Sequence, residues 1–476
     1  MSSSSQARQR INALLEENSF VEIGALVTAR NTDFNLKQEE TPSDGVVTGY
    51  GVIDGNLVYV YSQDASVLGG SIGEMHARKI VRLYELAIKT GSPVIGLIDS
   101  TGLRLQEATD ALNGFGEIYL KQVEASGVVP QITAIFGACG GGLAIIPSIT
   151  DFTFMESEKA KLFVNSPNAL DGNYKEKCDT SAAKWQSTET ANVDVVSDEA
   201  SIYAQIRELV SILPSNNEDG DSYQECSDDL NRACENLDGA TADPSLIARQ
   251  ISDNGLFFET KREYAKEMVT GFIRLNGATV GLVGNRTAVF DENGKEAEKF
   301  ADKLTAHGLE KAAEFITFCD AFDLPVLTLT NATGFGTSKC DEKHVAKAAG
   351  RLVYSLANAT VPKVNLITGK AFGSAYVIMN SKAIGADVTI SWPDAQVGTM
   401  DANLAAKIIC DGKDAETVSK AAAEYAALQN NVKSAAARGY VDEIVEPADT
   451  RKYVVGAFEM LFTKRDERPA KKHGTV

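Results

Sequence analysis

The chain has little of what side-chain catalysis usually needs. It holds only 4 histidines, at positions 76, 307, 344 and 473. No two of them have metal-ligand spacing, so a resident metal is not expected. The 7 cysteines (139, 178, 226, 234, 319, 340 and 410) include no C-x-x-C pair. An odd, scattered set argues against a zinc ribbon and a disulfide framework, and fits a reducing cytoplasm. There is no G-x-S-x-G nucleophile elbow. There is no complete phosphate loop either. Gly369-Lys370 lacks the upstream glycine and runs into Ala371, and Gly334-Phe335-Gly336-Thr337-Ser338-Lys339 lacks the last glycine. Positive charge is short as well, with 46 Lys and Arg against 65 Asp and Glu for a net charge of −19. That balance excludes a general nucleic-acid footprint. Long apolar runs are also missing. The least polar stretch, Gly127 to Ile149, is broken by Pro130, Gln131, Pro147 and several glycines. It reads as a buried strand, a turn and a helix rather than a membrane span. The opening MSSSSQARQR carries no apolar segment of the kind a secretory signal needs.

What is present is a repeat. Pro93 and Pro325, Gly102 and Gly334, Pro130 and Pro362, and Gly137 and Gly369 are each separated by 232 positions. Both halves then reach a run of small residues, Gly137-Ala138-Cys139-Gly140-Gly141-Gly142 and Gly369-Lys370-Ala371-Phe372-Gly373-Ser374-Ala375. An internal duplication governs how everything else is read. Val47 to Val60 and Val269 to Val280 are each strand, turn, strand, with Asp54-Gly55 and Asn276-Gly277 as hairpin turns. Ile80, Leu83, Tyr84 and Ala87, and later Leu309, Ala312, Ala313 and Ile316, keep one helix face. Continuous apolar runs follow at Val94–Ile98 and Val326–Leu329, as expected of strands buried on both faces. The order predicts an α/β fold with two tandem domains of one kind. Glu218 to Asp238 holds eight acids and one base, Arg232. It reads as a solvated connection, placing the domains at 1–235 and 240–476. The mixed tail from Lys464 to His473 reads as surface.

With side-chain machinery scarce, the chemistry left is that of the backbone. A glycine turn from a strand into a helix lets N–H groups approach a thioester oxygen, and the helix dipole favours negative charge there. Such donors serve a developing oxyanion. The bland alternative is that the glycines only allow close packing; their recurrence in both halves favours the functional one.

At these turns the chain resembles the carboxyltransferase family of biotin-dependent acyl-CoA carboxylases and decarboxylases. The resemblance rests on Asp44–Asp64, GGSIGEMHARK (Gly69–Lys79), Arg104–Glu107, Leu213–Asn217, KAFGSAYVIMNSK (Lys370–Lys382), ARGYVDEIVEP (Ala437–Pro447) and KRDERPAKKHG (Lys464–Gly474). It spans most of the chain. It implies two crotonase-like β-β-α domains, the first binding an acyl-CoA and the second receiving carboxybiotin, with active sites shared between subunits of a homo-oligomer, often a hexamer. It implies backbone oxyanion donors at Gly141 and Gly142 for the acyl-CoA and at Ser374 and Ala375 for biotin. The implied CoA-binding set is Ser71, Gly102, Arg104, Ala138 and Gly141. The implied biotin-binding set is Gly334, Phe335, Gly373, Ser374 and Val377. In this family biotin itself takes the α-proton, which accounts for the missing side-chain base. No Met-Lys-Met attachment site or ATP-binding loop is present, so the biotin is expected on a separate carrier protein. The other expected partner is a biotin carboxylase or a membrane decarboxylase subunit.

The chain departs from the family pattern in places. Tyr-Gly-Gly-Ala is Phe372-Gly373-Ser374-Ala375, Gly-Phe-Leu-Pro-Gly is Gly334-Phe335-Gly336-Thr337-Ser338, and a Gly-Gly-x-x-x-His segment is replaced by Ser181–Trp185. The last departure bears on the CoA substrate. Val377 either packs in the core or shapes the acyl pocket. Two other readings stand beside the first: a crotonase-like hydratase or hydrolase, with Glu107 as its carboxylate, and a non-catalytic scaffold that has kept the fold.

Overall fold

The computed structural model describes residues 5–31, 41–218, 223–237, 239–291 and 294–469. The end of the tail, with Lys471, Lys472 and His473, lies outside the described residues, as does the acidic stretch 219–222. The chain divides into two compact units, Met1–Ser222 and Tyr223–Val476.

Each unit is built on one sheet whose strands lie side by side in chain order. In the first, Val21–Ile23, Val46–Ile53 and Asn56–Gln63 are antiparallel; Val94–Ser100, Gln131–Gly140, Phe152–Glu156 and Val195–Ser197 continue in parallel. In the second, Phe257–Thr260, Met268–Leu275 and Ala278–Asn285 are antiparallel; Val326–Ala332, Lys363–Phe372, Val388–Ser391 and Glu443–Ile444 follow in parallel. A short strand joins the end of the longest strand in each, Lys161–Phe163 beside Gln131–Gly140 and Gln396–Gly398 beside Lys363–Phe372. This is the duplicated α/β architecture expected of the sequence, with two sheets of the same order.

The repeat extends to local devices. The hairpins turn at Asp54 and Gly55, and at Asn276 and Gly277, all at positive φ. Only glycine and short polar residues take that conformation readily. Both units shift register at the same place, between Ile98 and Ser100 and between Thr330 and Ala332. Crossover helices Glu74–Thr90 and Ala306–Ala321 each send one lysine inward. The Lys79 ammonium donates to the Ser43 carbonyl at 2.9 Å, and Lys311 to those of Lys261 and Tyr264 at 2.7 and 2.8 Å. Burial pushes Lys79 down to about 8 and Lys311 to about 7.

The core of the first unit gathers Tyr61, Ile80, Leu83, Ile98, Ile135 and Leu143. That of the second gathers Ile247, Ile273, Leu327, Leu366 and Trp392. Cys234 and Leu237 belong to this second core, the Gln224 N–H donates to the Gly277 carbonyl at 2.9 Å, and Arg451 reaches the Asp229 carbonyl at 3.0 Å. The division between the units therefore falls ahead of the expected 235/240. Within the described part of the acidic connection, Asp228 pairs with Arg232 and faces Arg451, which hold its carboxyl down at about 2. Gly127 to Ile149 forms strand and short helical turns, and no helix among the described residues is long and apolar enough to cross a membrane.

Candidate functional site

The strand Gln131–Gly140 ends at Gly141, which has φ +64° and opens the helical turn Gly141–Ile145. A Cβ on Gly140 would stand 2.6 Å from the Phe163 ring, so Gly140 is glycine for packing. Nothing lies within 4 Å of the place a Gly141 Cβ would take, so this turn is open. The first N–H groups of a helical turn have no partner inside it. Tyr119 Oη donates to the Gly142 carbonyl at 2.5 Å and fixes the plane of the peptide that follows.

The second turn has the same build. Strand Lys363–Phe372 ends at Gly373, with φ +59°, and helix Gly373–Ile378 begins there. The spacing of 232 pairs Gly141 with Gly373 and Gly142 with Ser374. The support beneath is duplicated too. A side chain on Gly137 would run into the Asp99 carboxylate, and one on Gly369 into the Asn331 amide. The Asp99 N–H donates to Gln63 Oε1 at 3.2 Å, the Asn331 N–H to Asn285 Oδ1 at 2.8 Å. Asp99 is held by Arg10 at 2.9 Å, and Asn331 Oδ1 accepts the Lys370 N–H at 3.0 Å. A polar residue thus clamps the last turn of each long strand.

Of the expected CoA-binding set, Ser71 and Gly102 lie on neighbouring segments, and Gly102 faces Gly140, the residue before Gly141. Ile72 and Leu103 form a parallel bridge, and a Cβ on Gly102 would meet the Gly140 carbonyl at 3.3 Å. Ala138 lies inside the long strand, beside Lys161. Arg104 is placed otherwise, being only 1% exposed. Its guanidinium reaches Asp44 Oδ1 at 2.6 Å, Glu107 Oε1 at 2.8 Å and the Ser71 carbonyl at 2.7 Å. Every direction is spent inside the protein, so Arg104 holds the Gly69–Gly73 loop rather than a ligand. Glu107 also accepts the Glu74 N–H at 2.6 Å and is buried, which leaves it no route to act as a base.

Three buried titratable groups of the same unit are shifted by their burial. Burial, then the charges of Arg104 and Lys79, keep His76 well below its usual value and neutral. Burial pushes Asp44 up to about 6 in spite of Arg104. Burial pushes the Cys139 thiol far above its usual value, so it is inert. No group of three or more His, Cys, Asp or Glu among the described residues is placed to hold a metal.

Of the expected biotin-binding set, Gly373, Ser374 and Val377 line a cavity of about 390 Å³. Tyr376, Thr399, Arg438 and Tyr440 complete its wall. Gly334 and Phe335 are not among the residues that line this cavity. They pair with Lys303 and Leu304 and pack on the helix that starts at Gly373. Ala375 is fully buried, one residue further into that helix. Sequence reasoning missed Tyr119, Thr399 and Arg438, which are distant in the chain and outside the repeat's small-residue runs. It also missed Lys303, which the spacing of 232 could have found as the counterpart of Ser71.

The arrangement can hold an oxyanion on backbone donors at two places and can do little proton chemistry. Known proteins are similar to this chain along nearly its whole length. The carboxyl transferase domain family matches residues 3–476. The propionyl-CoA carboxylase beta chain of Roseobacter denitrificans is 40% identical, over 99% of this chain and 93% of that one. The methylmalonyl-CoA decarboxylase subunit alpha of Propionigenium modestum is also 40% identical, over 99% and 92%. Among solved structures, the transcarboxylase 12S hexamer with hydrolysed methylmalonyl-coenzyme A bound superposes with a TM-score of 0.91 at 36% identity, covering 98% of this chain and 92% of that one.

Proposed function

From the premise that the chain belongs to the carboxyl transferase domain family, we propose that it moves a carboxyl group between a short-chain acyl-CoA and biotin held on a separate carrier protein. The relatives' names point to methylmalonyl-CoA and propionyl-CoA as the pair. Malonyl-CoA and acetyl-CoA are the shorter alternative that the reaction class allows. The observation that carries the reading is the duplicated turn, open at Gly141 and repeated at Gly373.

In this account the N–H groups of Gly141 and Gly142 hold the thioester oxygen as it gains charge. Those of Ser374, the counterpart of Gly142, and of Ala375 after it hold the ureido oxygen of biotin. Ser71, Gly102 and Ala138 border the acyl-CoA, with Arg104 fixing the loop behind Ser71. Biotin, when bound, would supply the carboxyl group and take the α-proton in exchange, or in reverse accept the carboxyl group and give up its ring N–H proton. The cavity at Ser374 suits it: about 390 Å³ lies in the range of small-molecule sites, and Tyr376 and Tyr440 stand in its wall with the Gly373–Ser374 backbone, an apolar surface for the folded bicycle beside donors for its oxygen. Orientation by the two turns replaces general acid–base groups, and desolvation keeps the enolate from protonation by water.

The partners in this account are a biotin carboxyl carrier protein and either a biotin carboxylase or a membrane decarboxylase subunit. The assembly is a homo-oligomer, a hexamer by analogy with transcarboxylase 12S. Exposed Leu105, Leu112 and Leu120 in the first unit and Leu404, Ile408 and Ile409 in the second support such burial. The test is loss of methylmalonyl-CoA and malonyl-CoA in the presence of purified protein, with and without free biotin. Biotin-dependent decarboxylation is expected. Biotin-independent hydrolysis of the thioester would instead favour a crotonase-like hydrolase.

A further inference from the structure

The duplication places a cation in the second unit where the first has a hydroxyl. Ser71 and Lys303 are separated by the same 232 positions, as are Ile72 and Leu304, Gly102 and Gly334, and Leu103 and Phe335. The structure repeats the pairing: Ile72 bridges Leu103 in parallel, and Lys303–Leu304 runs parallel to Gly334–Phe335. Lys303 is therefore the residue next to the second turn that Ser71 is next to the first.

The surroundings differ in one decisive respect. In the first unit Arg104 lies under Ser71 and bonds its hydroxyl at 3.3 Å and its carbonyl at 2.7 Å. The position equivalent to Arg104 is Gly336, which has no side chain to compete with Lys303 or repel it. The Lys303 ammonium lies 3.1 Å from where a Gly334 Cβ would stand, so it is folded back over the Gly334 backbone. Glycine at 334 leaves room for it there. The neighbouring acid is engaged elsewhere: Asp302 Oδ1 accepts the Thr333 hydroxyl at 2.8 Å, and its Oδ2 faces Lys370 at 3.9 Å. Among the described residues the Lys303 ammonium has no hydrogen bond or ion pair, although its backbone pairs with Gly334. A half-buried ammonium with no acid of its own, in a chain of net charge −19, is left to pair with an anion that a ligand brings.

Resting on the proposed function, we infer that Lys303 binds the carboxylate that biotin carries on its ring nitrogen. A cation at that point complements the charge of the transferred group, while the turn's N–H groups serve the ureido oxygen.

The inference is tested by binding, read from calorimetry of the full chain. The neutral probe is biotinamide, whose tail bears no charge. The anionic probe is biotinamide with a carboxymethyl group on the ring nitrogen. Free biotin serves as a third probe with its charge on the tail. Wild type should bind the carboxymethyl probe at least about tenfold tighter than biotinamide, a ratio equal to ~1.4 kcal/mol. Lys303→Ser, which installs the first unit's residue, should abolish that ratio while still binding biotinamide. Lys303→Arg should keep most of it. A ratio that survives in Lys303→Ser, or is absent in wild type, overturns the assignment of Lys303 alone. Lost discrimination only between free biotin and biotinamide would assign Lys303 to the tail carboxylate and also overturn it. Failure of wild type to bind any of the three probes would overturn the biotin reading of the second unit, and this inference with it.

Discussion

Gly140 and Gly141 are adjacent glycines kept for different reasons, and substitution should separate them. At Gly140 a methyl group would press into the Phe163 ring, so Gly140→Ala should lower the melting temperature and the yield of folded protein. At Gly141 there is space but φ is +64°, so Gly141→Ala should cost about 1–2 kcal/mol of stability through backbone strain. It should cost far more in turnover, because the strain is relieved by rotating the N–H groups that matter. Tyr119→Phe is the gentler version. Losing one hydrogen bond to the Gly142 carbonyl should lower kcat by roughly three- to tenfold, the kinetic equivalent of about 0.5–1.5 kcal/mol, with little change in melting temperature. The glycines were legible in the sequence, since runs of small residues stand out. Tyr119 was not, because it reaches the turn from a helix more than twenty residues away and leaves no local signature.

At the scale of the elements, the buried lysines of the two crossover helices make a pH argument. Lys311 has a pKa of about 7 in the folded protein against 10.5 as a model side chain, burial being the main cause. Between those values the unfolded chain holds a proton that the folded chain has released, so this group's contribution to stability rises with pH from about 7 to about 10. The unfolding free energy of wild type minus that of Lys311→Met, followed by denaturant titration at several pH values, should increase across that window. A flat difference would mean that Lys311 stays charged inside. Arg104 makes the complementary case. Removing it leaves Asp44 and Glu107 buried without their cation, so Arg104→Met should cost about 3–5 kcal/mol. The hairpins, the helix faces and the buried strands were all legible from periodicity and from Asp-Gly and Asn-Gly. The role of Arg104 was not. An arginine two residues after the turn glycine Gly102 looks like a ligand contact, and only its burial with Asp44, sixty residues away in the chain, shows that its charge is already matched.

For the whole molecule, the repeat was the most informative feature of the sequence, and its spacing carries down to register shifts and strand-end clamps. The limit of the linear reading was the acidic connection. Charge density suggests a solvated linker, but Cys234 and Leu237 sit in the second core and Asp228 finds two arginines. The exposed leucines and isoleucines of both units predict self-association. Light scattering should give a mass several-fold above the 50.9 kDa of one chain, and Ile408→Glu with Ile409→Glu should reduce it.

The central claim is that backbone N–H groups at both turns do the catalytic work. Proline removes such a group while suiting the first turn of a helix. The measurement is kcat for biotin-dependent decarboxylation of methylmalonyl-CoA by Gly142→Pro and by Ser374→Pro, with melting temperature recorded for each. The account predicts a fall of about 10²–10³-fold in both variants, with folded protein retained. Turnover close to wild type in either folded variant would contradict it.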